Sequence, residues 1–301
     1  MRIGIFIGDL MRAGSADDVV ERARTVAADG FASLWVPQVF DWDALIALAL
    51  IGHAVPDIEL GTAVIPTYPR HPALLAQQAM TTQVASGGRL ALGIGLSHQF
   101  VIESMFGYSF EKPVRHMREY LTVLQALVHE GSVDFKGETI RAAVGYAIPG
   151  ATPFPILVAA LGPQMLKLTG TMADGTITWM TGPSTIAAHT VPIITRAAEE
   201  AARPAPRIVV GLPVCLTDKP EKARERAAKT FEIYGTLPSY RAMLDREGAG
   251  GPADVAVVGD EAVVRAALAG VDDAGATDFL AAPFGTREEH ERTMALLKSL
   301  L

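Results

Sequence analysis

Cysteine is nearly absent: Cys215 stands alone among 301 residues, which excludes a disulfide framework and any Cys-based metal cluster, zinc ribbons included. A single thiol accords with a reducing cytosol. Basic charge is also short, with 26 Lys and Arg against 33 Asp and Glu and a formal net charge of −7. No Lys/Arg cluster supplies the phosphate-neutralising surface of a nucleic-acid binder, so an anionic ligand has to be held locally. Long apolar runs are missing as well. Ile3 to Ile7 is too short for a signal peptide and runs into Gly8 and Asp9, and the stretch from Leu45 to Ile65 is interrupted by His53, Asp57 and Glu59. The chain reads as a soluble, untargeted, cytoplasmic protein with no membrane or nucleic-acid partner. HExxH, the P-loop and the nucleophile elbow are absent too, which removes support for metal hydrolysis, nucleotide hydrolysis and serine acyl transfer. No metal site is expected.

What is present is apolar bulk in a regular alternation. Half of the residues are hydrophobic, and a length near 300 suits an α/β barrel with modest insertions, so one domain over residues 1–301 is expected. Short β-rich runs alternate with helical ones, the mark of βαβ units closing a parallel sheet buried on both faces. Strands are expected at Ile3 to Gly8, Ala32 to Pro37, Glu59 to Pro66, Leu90 to Gly95, Pro155 to Ala160, Gly175 to Trp179, Ile208 to Cys215 and Asp278 to Pro283. Eight strands are what a closed (β/α)₈ TIM barrel requires. Helix signals agree: Ser15 with Asp18 resembles a capping box, Gly30 ends that helix, Pro72 opens the helix carrying Gln77 and Gln78, and Gly131 stops the run Glu111 to His129. Two insertions stand out. Val133 to Arg141, turning through Lys136 and Gly137, reads as a hairpin after strand four, and Glu221 to Arg246 as extra helix after strand seven.

Chemistry in such barrels sits at the C-terminal strand ends. Val158-Ala-Ala-Leu-Gly-Pro-Gln164 leads a buried strand through glycine into a helix opening with proline. Bare N–H groups and a positive helix end there suit a phosphate, although an ordinary βα turn has the same composition. Gly93-Ile-Gly-Leu-Ser-His98 ends the fourth strand, where glycines would let a planar ligand approach the backbone and Ser97 and His98 offer polar contacts. His98 is the candidate proton donor or acceptor. Asp9, after the first strand, and Asp41, after the second, are further candidates, each as able to serve a loop. Trp42 beside Asp41 forms either an aromatic wall or the start of a packed helix. His71, before a helix-starting proline, reads as structural.

Taken together, Gly30-Phe-Ala-Ser-Leu-Trp-Val-Pro37, Arg70-His-Pro72 with Ala76-Gln-Gln78, Ser86-Gly-Gly-Arg-Leu90, Leu92-Gly-Ile-Gly95, Ala160-Leu-Gly-Pro163 and Ala173-Asp-Gly175 resemble the luciferase-like flavin and deazaflavin oxidoreductases. The resemblance covers nearly the whole chain in the family's order. The turn Pro66 to Pro72 and the loop Gly93 to His98 are most similar to the actinobacterial branch that uses the deazaflavin coenzyme F420. The resemblance implies F420, with FMN as the alternative, lying across the strand ends for hydride transfer with a small organic substrate, and a homodimer. It implies a non-prolyl cis peptide bond at Ala63–Val64 behind the ring, and Ala160, Leu161, Gly162 and Gln164 on the phosphate or ribityl chain. Gly95, Leu96, Ser97 and His98 would line the ring, with Gln38 and Trp179 at neighbouring strand ends. One departure bears on substrate. Where sugar-phosphate dehydrogenases of this family have an Asp-His pair after the second strand, this chain has Gln38-Val39, and His98 replaces their acid after the fourth. An FMN monooxygenase, or a protein that holds the cofactor without turnover, are the alternatives.

Overall fold

The computed structural model describes residues 1–8 and 14–301. Its strands are β1 (Arg2–Phe6), β2 (Ser33–Val36), β3 (Glu59–Thr62), β4 (Ile65–Pro66), β5 (Leu90–Gly95), β6 (Ser132–Lys136), β7 (Arg141–Gly145), β8 (Ile156–Val158), β9 (Gly175–Trp179), β10 (Arg207–Leu216), β11 (Val257–Gly259) and β12 (Asp278–Pro283). Parallel pairing runs β1–β2–β3–β5–β8–β9–β10–β12, and β12 pairs back onto β1, Ile3 opposite Phe279. Those eight positions close the expected barrel. The third position differs in detail from one continuous strand. It breaks at Ala63–Val64, whose peptide bond is cis, and resumes as β4 with Ile65 opposite Ile94. Three-residue β11, too short to show a period in the sequence, pairs with the far end of β10, Val214 opposite Val257.

The barrel helices are α1 (Ala16–Ala28), α2 (Ala44–Ala54), α3 (Pro72–Ala85), α4 (Pro113–Glu130), α5 (Pro163–Met172), α6 (Pro183–Thr185) and α7 (Val191–Glu200). After β10 come α8 (Pro220–Thr230), α9 (Glu232–Thr236), α10 (Pro238–Glu247) and α11 (Pro252–Val255), then α12 (Glu261–Asp273) and α13 (Arg287–Lys298). The extra helix expected over 221–246 is thus divided into three, and the second break falls at Pro238, which cannot continue the ladder. Ser15 caps α1 by accepting from Asp18 N–H, as expected, but Asp18 reaches Gly14 N–H at 2.9 Å, so half of the expected capping box is displaced by one residue. His71 is structural: its Nδ1 accepts from Ala73 N–H at 3.3 Å and caps α3.

The first insertion is the antiparallel hairpin β6–β7, as expected. Its tip is tied to α4 by the buried Glu119 carboxylate, which accepts from the N–H groups of Glu138, Thr139 and Ile140 at 2.8–2.9 Å.

Inside the barrel, Trp35, Ala91, Leu157, Ile177, Val209 and Leu280 form one packed layer, a side chain each from β2, β5, β8, β9, β10 and β12. Trp35 occupies the space above Gly61, where a Cβ would lie 2.1 Å from the indole. Beneath it Arg207 stands 5.4 Å from the ring centroid and bonds Asp278 at 2.7 Å, closing the N-terminal end. Chemistry is left to the other end.

Candidate active site

Above the packed layer lie Phe6, Ala63, Val64 and Ala159. Apart from Phe6 these are small side chains, and with Gly95 of β5 between Val64 and Ala159 they make a low apolar floor. Gly93 and Gly95 explain how it stays low, although not as their sequence implied. A Cβ on Gly93 would lie 2.0 Å from the Thr62 carbonyl oxygen, and one on Gly95 would lie 2.7 Å from Val64 Cγ2. The glycines make room for the broken third strand, and Val64, not a ligand, fills the space above Gly95. Thr62 Oγ1 bridges the same crossing, donating to Gly93 O at 2.7 Å.

Two walls rise from the floor. Trp179, at the end of β9, lies 5.3 Å from Phe6, ring centre to ring centre. His98, beyond β5, lies 5.8 Å from Tyr240 of α10. Both sit beside non-glycine residues in the left-handed region, Met180 at φ 53° and Ser97 at φ 61°, a conformation that concentrates at functional sites. Burial lowers the His98 pKa below the ordinary histidine value, which favours the neutral imidazole at pH 7. Beyond the floor, Tyr68 stacks on His116 at 4.0 Å. Burial, opposed by Glu119, pushes His116 down to about 4, and its Nε2 contacts Thr67 Oγ1 at 3.0 Å. A cavity of about 490 Å³ opens on the outer side of this pair, lined by Tyr68, Arg70, His71, Tyr120 and Thr139; no floor residue lines it.

The turn whose sequence suits a phosphate lies next to the floor, where β8 passes into α5. Gly162 is the N-cap, extended at φ −76° and ψ 153°, with no side chain to satisfy the helix N–H groups. A Cβ built there meets nothing within 4 Å. The first N–H groups of α5 therefore face open space, as an anion requires. The loop is held from behind by His189, whose Nε2 lies 2.8 Å from Leu161 O. By contrast, the start of α6 is occupied: Glu247 accepts from Ser184 and Thr185 N–H at 3.1 and 2.7 Å.

The structure thus gathers Ala63, Val64, Gly95, Ser97, His98, Leu161, Gly162 and Trp179 around one mouth, with Gln164 exposed on the first turn of α5. It moves three others. Ala160 turns its side chain into the helix-facing core, leaving only its backbone to the site, and Ala159 takes the floor. Gln38 turns back to accept from Ala44 N–H at 3.0 Å, capping α2. Leu96 packs against the helix-facing core, as does Trp42. Asp41 is half-buried after β2, and Asp9 lies outside the described residues. Sequence reasoning missed Phe6, Ala159, His189 and the tyrosines of the inserted helices. Strand parity was a signal for Phe6; the others depend on packing between elements.

A TIM barrel with an apolar floor at its mouth and an uncapped helix N-terminus beside it has the shape to take a planar ring carrying an anionic tail. Residues 1–300 match the family described as luciferase-like monooxygenase, and the chain belongs to it. It is similar to a 5,10-methylenetetrahydromethanopterin reductase of Methanolobus tindarius, 26% identical over 232 residues that cover 76% of this chain and 71% of that one. Among solved structures it is similar to an F420-dependent secondary alcohol dehydrogenase in complex with an F420–acetone adduct. That match has a TM-score of 0.82 and 19% identity, over 100% of this chain and 98% of the other. The oxygenating constituent of a Pseudomonas putida type II Baeyer–Villiger monooxygenase, in complex with FMN, matches with a TM-score of 0.78 and 16% identity, over 99% and 96% of the two chains.

Proposed function

We propose that this protein is an oxidoreductase that binds the deazaflavin coenzyme F420 across the barrel mouth and transfers hydride between it and a small organic substrate. The observation that carries the reading is the adjacency of the Ala63–Val64–Ala159 floor to the open N-terminus of α5. The floor gives a planar ring apolar contact without steric obstruction, and Leu161, Gly162 and Gln164 offer backbone and dipole to its phosphate. When bound, the deazaflavin accepts or supplies a hydride, two electrons with a hydrogen nucleus, while the proton on the substrate oxygen is left to the protein. His98 is our candidate for that proton. Its ring nitrogens make no hydrogen bond among the described residues, and its lowered pKa keeps it an acceptor at neutral pH.

FMN carries a tricyclic ring and a phosphate that meet the same two features, and the similarity to an FMN-bound monooxygenase supports it as the second reading. The test is a fluorescence titration of the purified protein with F420 and with FMN. Micromolar or tighter binding of F420 with weak FMN binding is expected. The reverse preference moves the assignment to an FMN monooxygenase, and binding of neither removes the cofactor assignment. We also infer a homodimer, supported by the uncharged outer surfaces of α2 and α3.

A further inference from the structure

We propose that His189 is a positioning residue for the cofactor: it holds the Leu161–Gly162 peptide so that the Gly162 N–H is presented to the phosphate. The inference rests on the reading of the α5 N-terminus above. A planar trans peptide carries its C=O and N–H on opposite sides. His189 Nε2 lies 2.8 Å from Leu161 O, and because a carbonyl only accepts, that nitrogen carries the proton and donates. With the carbonyl drawn to His189, the Gly162 N–H of the same peptide points the other way. It makes no hydrogen bond among the described residues, and neither do the N–H groups of Gln164 and Met165 that follow it. These donors are free at one turn, while Pro163 has no N–H to offer.

Nothing local keeps that peptide in place. Its rotation changes ψ of Leu161 and φ of Gly162, and glycine takes positive φ about as readily as negative. A Cβ at Gly162 would meet nothing within 4 Å. The glycine that leaves room for a ligand thus also leaves the peptide free to turn its carbonyl oxygen towards an incoming anion. His189 opposes that rotation, and by polarising the peptide it makes the N–H a stronger donor. Its own place is fixed from two sides. His189 is buried on a π-helical turn, Ile186–Thr190, directly before α7, a geometry found often at functional sites. α7 runs against α5, where a Cβ on Gly170 would lie 2.3 Å from Ile194 O. The backbones therefore touch, and the segment before α7 sits beside the segment before α5. On the other side, Glu247 of α10 accepts from Ser184 and Thr185 N–H at the start of α6, just ahead of the turn.

Ligand pairs that differ by the phosphate isolate this role. F420 and its deazariboflavin core, which lacks the phosphate-linked tail, and FMN and riboflavin, which differ by the phosphate alone, are titrated against the full-length protein by fluorescence. A melting curve accompanies each variant. The unaltered protein is expected to bind the phosphate-bearing member of its preferred pair at least about tenfold tighter. His189→Leu removes the donor and is expected to reduce that ratio to about threefold or less, by weakening the phosphate-bearing ligand alone. His189→Gln, whose amide can reach the same carbonyl, is expected to keep most of the ratio. If His189→Leu does not fold, His189→Asn, polar but too short to reach Leu161, has to show the same reduction. A ratio unchanged in the variant overturns the inference. An equal loss for both members of the pair overturns it as well, and makes His189 a packing residue only. A lack of phosphate preference in the unaltered protein instead strikes the phosphate position at α5, and the positioning role with it.

Discussion

A carboxylate at residue 162 would stand where the first N–H groups of α5 are open. Because Gly162 is extended and its Cβ position is free, Gly162→Asp strains nothing and supplies the missing cap, worth a few tenths of a kcal/mol over glycine. The same carboxylate occupies the proposed phosphate position. Gly162→Asp is therefore expected to leave Tm unchanged or slightly raised while weakening cofactor binding by about tenfold or more; a titration beside a melting curve separates the two effects. His98 gives the second expectation at this scale. Its lowered pKa means that the neutral form persists below the ordinary histidine value of 6.5. In the direction of substrate oxidation, kcat/KM is expected to fall as pH drops through a value below 6.5, and His98→Ala to remove that acid limb with cofactor affinity retained. A limb unchanged in the variant excludes His98 from the proton transfer. Both residues were legible in the sequence because strand ends and turn glycines are local features. The parity of Ala159 and Ala160 was not, since which of two adjacent alanines faces the mouth depends on the twist and tilt of the closed barrel.

The hairpin β6–β7 shows how an element depends on one buried group. Burial alone would raise the Glu119 pKa, but the Thr139 hydroxyl and the N–H groups of Glu138, Thr139 and Ile140 hydrogen-bond the carboxylate and bring it from an ordinary 4.5 down to about 2. With the folded value below the unfolded one, the stabilisation is fully present above about 4.5 and is lost as pH falls towards 2. Glu119→Gln keeps the shape and removes the charge, and is expected to cost about 2 kcal/mol at neutral pH. The difference from the unaltered protein should shrink on acidification, read by denaturant melts at pH 7 and pH 4. A gap independent of pH would show that the carboxylate charge contributes nothing. The hairpin itself was legible from Lys136 and Gly137, whereas the tie to Glu119 needed the face of α4 that packing selects. The inserted helices follow the same rule: their presence after strand seven was readable, their three-way division and the inward turn of Tyr234 and Tyr240 were not.

At the scale of the molecule, α2 and α3 carry no Asp, Glu, Lys or Arg on a chain in which those residues make up 20%. Ile46, Leu50, Leu74 and Val84 are exposed on them, and a groove of about 490 Å³ runs between the two helices. A face of this kind suits a two-fold contact with its own copy. Light scattering is expected to return twice the 31.9 kDa chain mass, and Ile46→Glu to halve it; a chain of single mass in both forms refutes the dimer. The sequence by itself determined the barrel, because eight apolar strands alternating with capped helices have only one closed parallel solution. It also determined where the chemistry belongs, because in that solution the loops after the strands share one face. Only the tertiary structure decided what the site is made of. The floor comes from strand parity and the broken third strand, the walls from rings far apart in the chain, and the partners of the charged groups from residues as far as 276 positions away. Those outcomes depend on which surfaces are buried together, and burial is a property of the packed molecule rather than of any local run of residues.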